Sequence, residues 1–395
     1  MDIVLSGLDV FLDGSSDHAG LSPGARVGLV VHPASVDRTL RHTVDRIRQS
    51  DRFRIVRLFA PEHGTGGEAQ DMESVGETTD RATGLPVISL YGENLESLRP
   101  DIAFLDGLDA ILYDLQDVGS RYYTYVTTLS FVMETAREAG LPVVVLDRPN
   151  PIGGVVMEGP LLDPSMSSFV GRYPIPPRHG MTTGELALMY NGAFGIGCDL
   201  RVVPMQGWHR SMFMDQTGLP WIAPSPNMPT LETAVVYPGA CLLEGTNLSE
   251  GRGTTLPFLQ FGAPWLDGGA WRSRLTEGDG IVSRPVSFRP MFQKHAGADC
   301  GGLFAHVQDR NRFRSFPWYL DAIRVARELD PARFDWRREP YEFENDRLAL
   351  DVLLGRPGIR EGLEQGVSAV DLADSWSSEL DRFRRDRRPF LLYPE

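Results

Sequence analysis

Short β-branched runs alternate with longer amphipathic ones through the first half of the chain, and this alternation constrains the fold more than any single motif. Residues 26–31, 53–59, 86–90, 110–115 and 142–146 read as strands, with helices over 36–49 and 124–139 between them. Strand and helix in alternation imply parallel pairing through right-handed crossovers. The expected fold class is therefore α/β, a Rossmann-like doubly wound parallel sheet. After Pro160 the pattern weakens as proline and glycine thicken, although 182–191 still reads as a helix and 200–204 as a strand. The segment Ala223-Pro224-Ser225-Pro226-Asn227-Met228-Pro229 carries three prolines, which forbid a continuous helix or central strand. It divides an expected Rossmann-like catalytic domain (1–222) from a smaller α+β domain (223–395) that closes a cleft, with helices over 318–328 and 367–384.

A chain of 395 residues with 42% hydrophobic residues can bury two cores. Its net charge of −14 and pI near 5.1 disfavour nucleic acid, because a phosphate backbone needs a basic face. Three widely spaced cysteines, Cys198, Cys241 and Cys300, form neither a disulfide framework nor a zinc cluster. The N-terminus lacks a basic region followed by a long apolar one, and no run reaches the ~18 to 20 apolar residues of a membrane span. A cytoplasmic location without a membrane span is the expectation. Lys294 is the only lysine, so phosphate-cradling Walker loops and most Schiff-base chemistry lose their usual residue. The first strand is followed by Val31-His32-Pro33-Ala34-Ser35 and not by G-x-G-x-x-G, which counts against a dinucleotide. Neither cofactor nor metal is expected.

In an open α/β sheet the carboxyl ends of the strands border the ligand crevice. Three expected strands end in polar clusters: Pro61-Glu62-His63-Gly64, Asp114-Leu115-Gln116-Asp117 and Asp147-Arg148-Pro149-Asn150. Glu62 follows its strand directly, and a carboxylic acid in a partly desolvated crevice can donate a proton at neutral pH; it could equally be a turn or capping acid. Asp117 is better placed than Asp114, which could be a buried anchor. Arg121-Tyr122-Tyr123-Thr124-Tyr125 joins a guanidinium to phenols, a combination that suits sugars, though Tyr125 reads as packing. Arg148, stiffened by prolines around Asn150, could read a carboxylate or pair with Asp147. Further on, His179 precedes a helix cap at Thr182, and Glu244 to Thr255, with Asn247 and Arg252, forms a polar glycine-rich loop fit for a lid or far wall.

Taken in order, Pro61-Glu62-His63-Gly64, Ser89-Leu90-Tyr91-Gly92, Asp114-Leu115-Gln116-Asp117-Val118-Gly119, Leu146-Asp147-Arg148-Pro149-Asn150-Pro151, Glu158-Gly159-Pro160, His179-Gly180-Met181-Thr182, Pro224-Ser225-Pro226-Asn227 and Glu244-Gly245-Thr246-Asn247 with Glu250-Gly251-Arg252-Gly253-Thr254 resemble the bacterial exo-β-N-acetylmuramidases of the NamZ type, a glycoside hydrolase family long filed as a domain of unknown function. The resemblance implies a cleft between two domains and release of N-acetylmuramic acid from non-reducing ends of peptidoglycan fragments, in cell-wall turnover or recycling. It implies Glu62 as the catalytic acid; His63, next in sequence, and Asp117 are the other residues expected to take part in the chemistry. Arg121, Tyr122, Arg148, Asn150, His179, Asn227, Glu244, Asn247 and Arg252 would line the sugar pocket. Where the family usually has an aromatic and a basic residue after its Pro-Glu-His-Gly motif, this chain has Thr65, Gly66 and Gly67. Glycoside hydrolysis generally takes a second carboxylate, for which Asp117 and Glu244 are candidates unless the substrate's acetamido group replaces it. A non-catalytic cell-wall sugar-binding protein and a nucleotide-dependent sugar-modifying enzyme are the competing classes.

Overall fold

The computed structural model describes residues 3–14, 19–62, 78–92 and 94–394. Its larger sheet comprises β1 (Arg26–Val31), β2 (Arg54–Ala60), β3 (Thr78–Thr79), β4 (Pro86–Ser89), β5 (Ala110–Asp114), β6 (Val143–Leu146) and β7 (Leu200–Val203), in the order β3-β4-β2-β1-β5-β6-β7. Every pairing is parallel except that of the short edge strand β3. The chain winds outward from β1 in both directions, which gathers the carboxyl ends of β2, β1, β5 and β6 on one rim.

Both faces of this sheet are covered, so its strands are apolar almost throughout, as parallel strands must be. Val27, Leu29 and Val31 of β1, with Leu112 and Val144, join one core cluster, while Val30, Ile111, Tyr113 and Val145 join the other. This is the period-two alternation of a strand, with apolar side chains in both phases. The covering helices are α1 (Gly7–Asp13), α2 (Thr43–Ser50), α3 (Tyr125–Ala139) and α4 (Thr183–Gly192). Thr182 caps α4 reciprocally with Glu185, and such a box satisfies two otherwise orphaned N–H groups. Helix α2 starts later than the expected residue 36. Residues 37–41 turn instead around Asp37, whose Oδ1 accepts from the N–H groups of Thr39 and Arg41 at 2.8 and 3.0 Å.

The second, smaller part carries an antiparallel sheet in the order β8-β10-β9, from β8 (Gln260–Ala263), β9 (Ile281–Phe288) and β10 (Cys300–Val307). Around it lie α5 (Leu231–Ala240), α6 (Gly268–Arg274), α7 (Ser315–Leu329), α8 (Ala349–Leu354), α9 (Ile359–Glu364) and α10 (Ala369–Asp386). Helix α5 was not expected: every residue but Glu232 is buried, so it has no polar stripe, and it carries Pro238. Among the described residues no helix is long and apolar enough to cross a membrane.

One apolar cluster runs unbroken from Tyr113 and Tyr122 beside the large sheet to Tyr237, Phe258 and Trp318 of the second part. Two buried polar contacts reinforce it. Glu158, paired with Arg178 at 2.6 Å, also accepts from the Phe316 N–H in the first turn of α7 at 3.0 Å, where a helix favours negative charge. Arg121, expected to bind substrate, instead spends its guanidinium on backbone carbonyls: Ile175 at 3.0 Å and Pro160 at 3.4 Å on one side, Leu353 at 2.6 Å and Leu354 at 3.4 Å on the other. The latter two end α8, where the helix dipole favours a cation. Arg121→Met should lower the unfolding free energy by about 3 kcal/mol or more, because several buried carbonyls lose a charged donor at ~1–3 kcal/mol each. Urea denaturation checks this, and an unchanged midpoint contradicts it.

Candidate active site

Strand β2 delivers Glu62 two residues past its end, and the carboxylate is 6% exposed. Across from it begins α3. Its N-cap, Thr124, makes no side-chain cap; its hydroxyl donates to Glu62 Oε2 at 2.7 Å. The usual capping hydrogen bond is thus exchanged for a donor on an acid. Tyr125 in the first turn of α3 donates to the Pro224 carbonyl at 2.8 Å, which brings the proline-rich segment against the same helix end.

These contacts border a pocket that opens to solvent. Glu62, Tyr122, Tyr123 and Thr124 form one wall, Ser225, Asn227 and Met228 the next, and Tyr237, Glu244, Arg252, Phe258, Tyr341 and Glu342 the far side. The aromatic rings meet edge to face: Tyr122 and Tyr123 lie 6.4 and 6.2 Å from Tyr237, which lies 5.0 Å from Phe258. Burial pushes the Tyr122 phenol well up, so it stays a donor, and its hydroxyl has no hydrogen-bond partner among the described residues.

The far side is electrostatically tied. Glu244 accepts from Arg252 Nη2 at 2.7 Å through one oxygen and from the Tyr341 hydroxyl at 2.9 Å through the other. Arg252 also faces Glu250, at 3.4 Å, and its guanidinium lies 5.3 Å from the centre of the Phe258 ring. Glu342 sits in the turn Tyr341 to Glu344, closed by backbone hydrogen bonds of 3.0 and 2.9 Å in both directions. Its two central residues, Glu342 and Phe343, have φ of 47° and 67°. That region suits Asn-Gly, and a side chain there costs about 1–2 kcal/mol per residue. Among the described residues, three carboxylates, one guanidinium, phenolic donors and aromatic faces make a pocket for a polar, ring-shaped substrate such as a sugar.

Family models described as exo-beta-N-acetylmuramidase NamZ match nearly the whole chain, the N-terminal one over residues 27–232 and the C-terminal one over 235–393. The chain belongs to the NamZ family. A peptidoglycan beta-N-acetylmuramidase NamZ of Bacillus subtilis (strain 168) is 42% identical over 99% of this chain and 91% of its own length. Two crystal structures of DUF1343 family proteins from Bacteroides fragilis NCTC 9343 share the fold. One superposes with a TM-score of 0.88 at 34% identity, covering 99% of both chains; the other with 0.76 at 29%, covering both completely.

Of the residues expected at a site, Glu62, Tyr122, Asn227, Glu244 and Arg252 line this NamZ-family pocket. His63 and the glycines after it lie outside the described residues. The others stand elsewhere. Asp117 accepts from the Gly119 N–H at 2.7 Å and lies 3.6 Å from His179 Nε2; neither is part of the pocket wall. Nδ1 of His179 accepts from the Met181 N–H at 3.2 Å, which leaves its proton on the nitrogen facing Asp117. Asn150 bonds the Met181 carbonyl and the Ile152 N–H, and a Cβ on Gly119, where φ is 82°, would lie 2.3 Å from its Oδ1. It closes a turn. Asn247 holds the Arg333 carbonyl at 2.8 Å at a separate surface hollow.

Arg148 was expected to read a carboxylate or to pair with Asp147. It pairs with Asp114 through Nε and Nη2 at 2.5 and 2.8 Å, and donates to the Val36 carbonyl at 3.0 Å. Asp114 also accepts from Thr43 Oγ1. Asp147 is likewise internal: burial pushes its carboxyl up to about 6, against donors from Tyr393, Thr182 and Gly184. Sequence reasoning missed Tyr237, Phe258, Tyr341 and Glu342; the run Arg338-Glu339-Pro340-Tyr341-Glu342-Phe343-Glu344 offers no motif that would have singled out Glu342. Because Asp114 is fully buried, Arg148→Ala should cost about 3–5 kcal/mol of stability. Chemical denaturation reads this out, and a variant as stable as the parent would show that the pair is not structural.

Proposed function

We propose that this chain is an exo-acting β-N-acetylmuramidase that releases N-acetylmuramic acid from the non-reducing ends of peptidoglycan fragments, in cell-wall turnover or recycling. The observation that carries this reading is a buried glutamate, Glu62, on a pocket of phenols and aromatic faces in a chain so extensively similar to a peptidoglycan β-N-acetylmuramidase. Residues 1–222 would carry the acid and residues 223–395 the far wall. The three cysteines are buried and unpaired, in keeping with a cytoplasmic site of action.

In this scheme the terminal sugar stacks against Tyr122, Tyr237 and Phe258 while its hydroxyls meet Ser225, Asn227 and the Tyr122 phenol. Glu62 protonates the glycosidic oxygen as the bond to C1 breaks. Thr124 then donates to the carboxylate this leaves, stabilising the charge that develops. N-acetylmuramic acid differs from N-acetylglucosamine by a lactyl ether bearing a carboxylate. Arg252 is the cation on the pocket wall among the described residues, and it replaces Arg148 as the group proposed to meet that carboxylate.

Glu62→Gln keeps the shape and loses the proton, so kcat on a muramyl disaccharide should fall about 10²- to 10⁴-fold with the thermal unfolding midpoint little changed. A variant that retains more than a few per cent of kcat removes Glu62 from the role. Arg252→Lys keeps the charge but not the planar fork. It should lower kcat/KM on the muramide by about tenfold or more, and by distinctly more than on the matching glucosaminide. Equal losses on the two sugars would mean that Arg252 supports the pocket generally and does not read the lactyl group.

A further inference from the structure

Three carboxylates among the described residues line the pocket, and their surroundings differ. Glu62 stands at the end of β2 beside Thr124. Glu244 has one oxygen on Arg252 and the other on Tyr341, so it is committed to holding the far wall together. Asp117, the other acid expected as a partner for Glu62, is not on the wall at all. Glu342 is, and it is 6% exposed.

The chain accepts an unfavourable backbone to put it there. Glu342 and Phe343 occupy the two left-handed positions of a two-residue turn where glycine or asparagine would be unstrained. Each neighbour fixes one side of the turn. Tyr341 holds Glu244 in the second part of the molecule. Phe343 packs at 5.7 and 5.8 Å against Tyr91 and Phe169 of the first. The Tyr91 hydroxyl, just past β4, donates to Glu342 Oε2 at 3.5 Å. Since β4 pairs with β2, this contact joins the turn to the strand beside the one that delivers Glu62. Glu62 and Glu342 line the same pocket.

We infer that Glu342 is the second catalytic carboxylate, the group that takes a proton from the attacking water. This rests on the glycosidase reading above. The water oxygen forms a bond to C1 from the face opposite the leaving group and gives one proton to Glu342. The bond from C1 to the glycosidic oxygen breaks with its electron pair on that oxygen, which receives the proton of Glu62. The sugar leaves with its second water-derived hydrogen on the new hydroxyl, and its configuration is inverted.

The test uses the full chain with two substrates: a muramyl-β-1,4-glucosaminide, whose leaving group needs a proton, and a 4-nitrophenyl β-muraminide, whose leaving group does not. Glu342→Gln is expected to lose about 10²- to 10⁴-fold in kcat on both, whereas Glu62→Gln loses that much on the disaccharide and far less on the nitrophenyl substrate. Azide added to Glu342→Ala is expected to restore turnover and yield the α-glycosyl azide. Proton NMR of the native reaction is expected to find the α-anomer first. This last measurement needs no variant, so it can overturn the inference even if the substitutions unfold the turn. First-formed β-anomer, or a Glu342→Gln kcat within tenfold of native, overturns the inference while leaving the glycosidase reading intact. Absence of any cleavage by the native protein overturns that reading instead.

Discussion

The pocket lies where the two parts of the molecule meet, and the Arg121 guanidinium ties those parts together through backbone carbonyls on both sides. A buried cation in an apolar cluster is costly unless its N–H groups are satisfied. Here Nη1 is met by the carbonyls of Pro160 and Ile175 on one side and Nη2 by those at the end of α8 on the other. Burial lowers its pKa, against the pull of Tyr122. The next two residues in sequence are Tyr122 and Tyr123, so any shift of this clamp moves the pocket wall with it.

The strand ends on the rim divide the remaining work. At the ends of β5 and β6, Asp114 and Asp147 gather hydrogen bonds from distant parts of the chain: Thr43 and Arg148 for the first, Thr182, Gly184 and Tyr393 for the second. Both carboxylates are thereby satisfied inside the protein. At the end of β2 the polar residue faces a space bounded by both parts of the molecule. Position on the rim is therefore insufficient to make a residue functional. What matters is whether it lines a pocket, as Glu62 does, or stands inside the protein, as Asp114 and Asp147 do.

The far wall has a similar division. Glu244, Arg252, Glu250 and Lys294 form a chain of buried ionic contacts that fixes the loop's shape, and burial of such groups is tolerated only because each is paired. Against this rigid background the turn at Glu342 stores backbone strain, which persists only where the surroundings over-determine it. The aromatic contacts of Phe343 and the bond from Tyr341 to Glu244 supply that restraint.

The apolar runs by themselves determined the parallel sheet, since strands buried on both faces must be apolar in both phases and crossovers between parallel strands need intervening helices. They also determined that Glu62 would stand at a strand's carboxyl end. Helix α5 was illegible because a wholly buried helix has no polar stripe, and the late start of α2 because Asp37 offers the backbone a local turn. The sequence could not tell Arg121 and Arg148 from pocket residues: a guanidinium beside phenols or between prolines reads alike whether its partner is a substrate or a carbonyl contributed by a residue some 230 positions away, as Leu353 is for Arg121. Only tertiary structure decided which polar groups were satisfied internally, because that depends on contacts between segments far apart in sequence. It also placed Glu342 near Glu62, through a turn whose residues carry no local signal for the conformation that packing imposes on them.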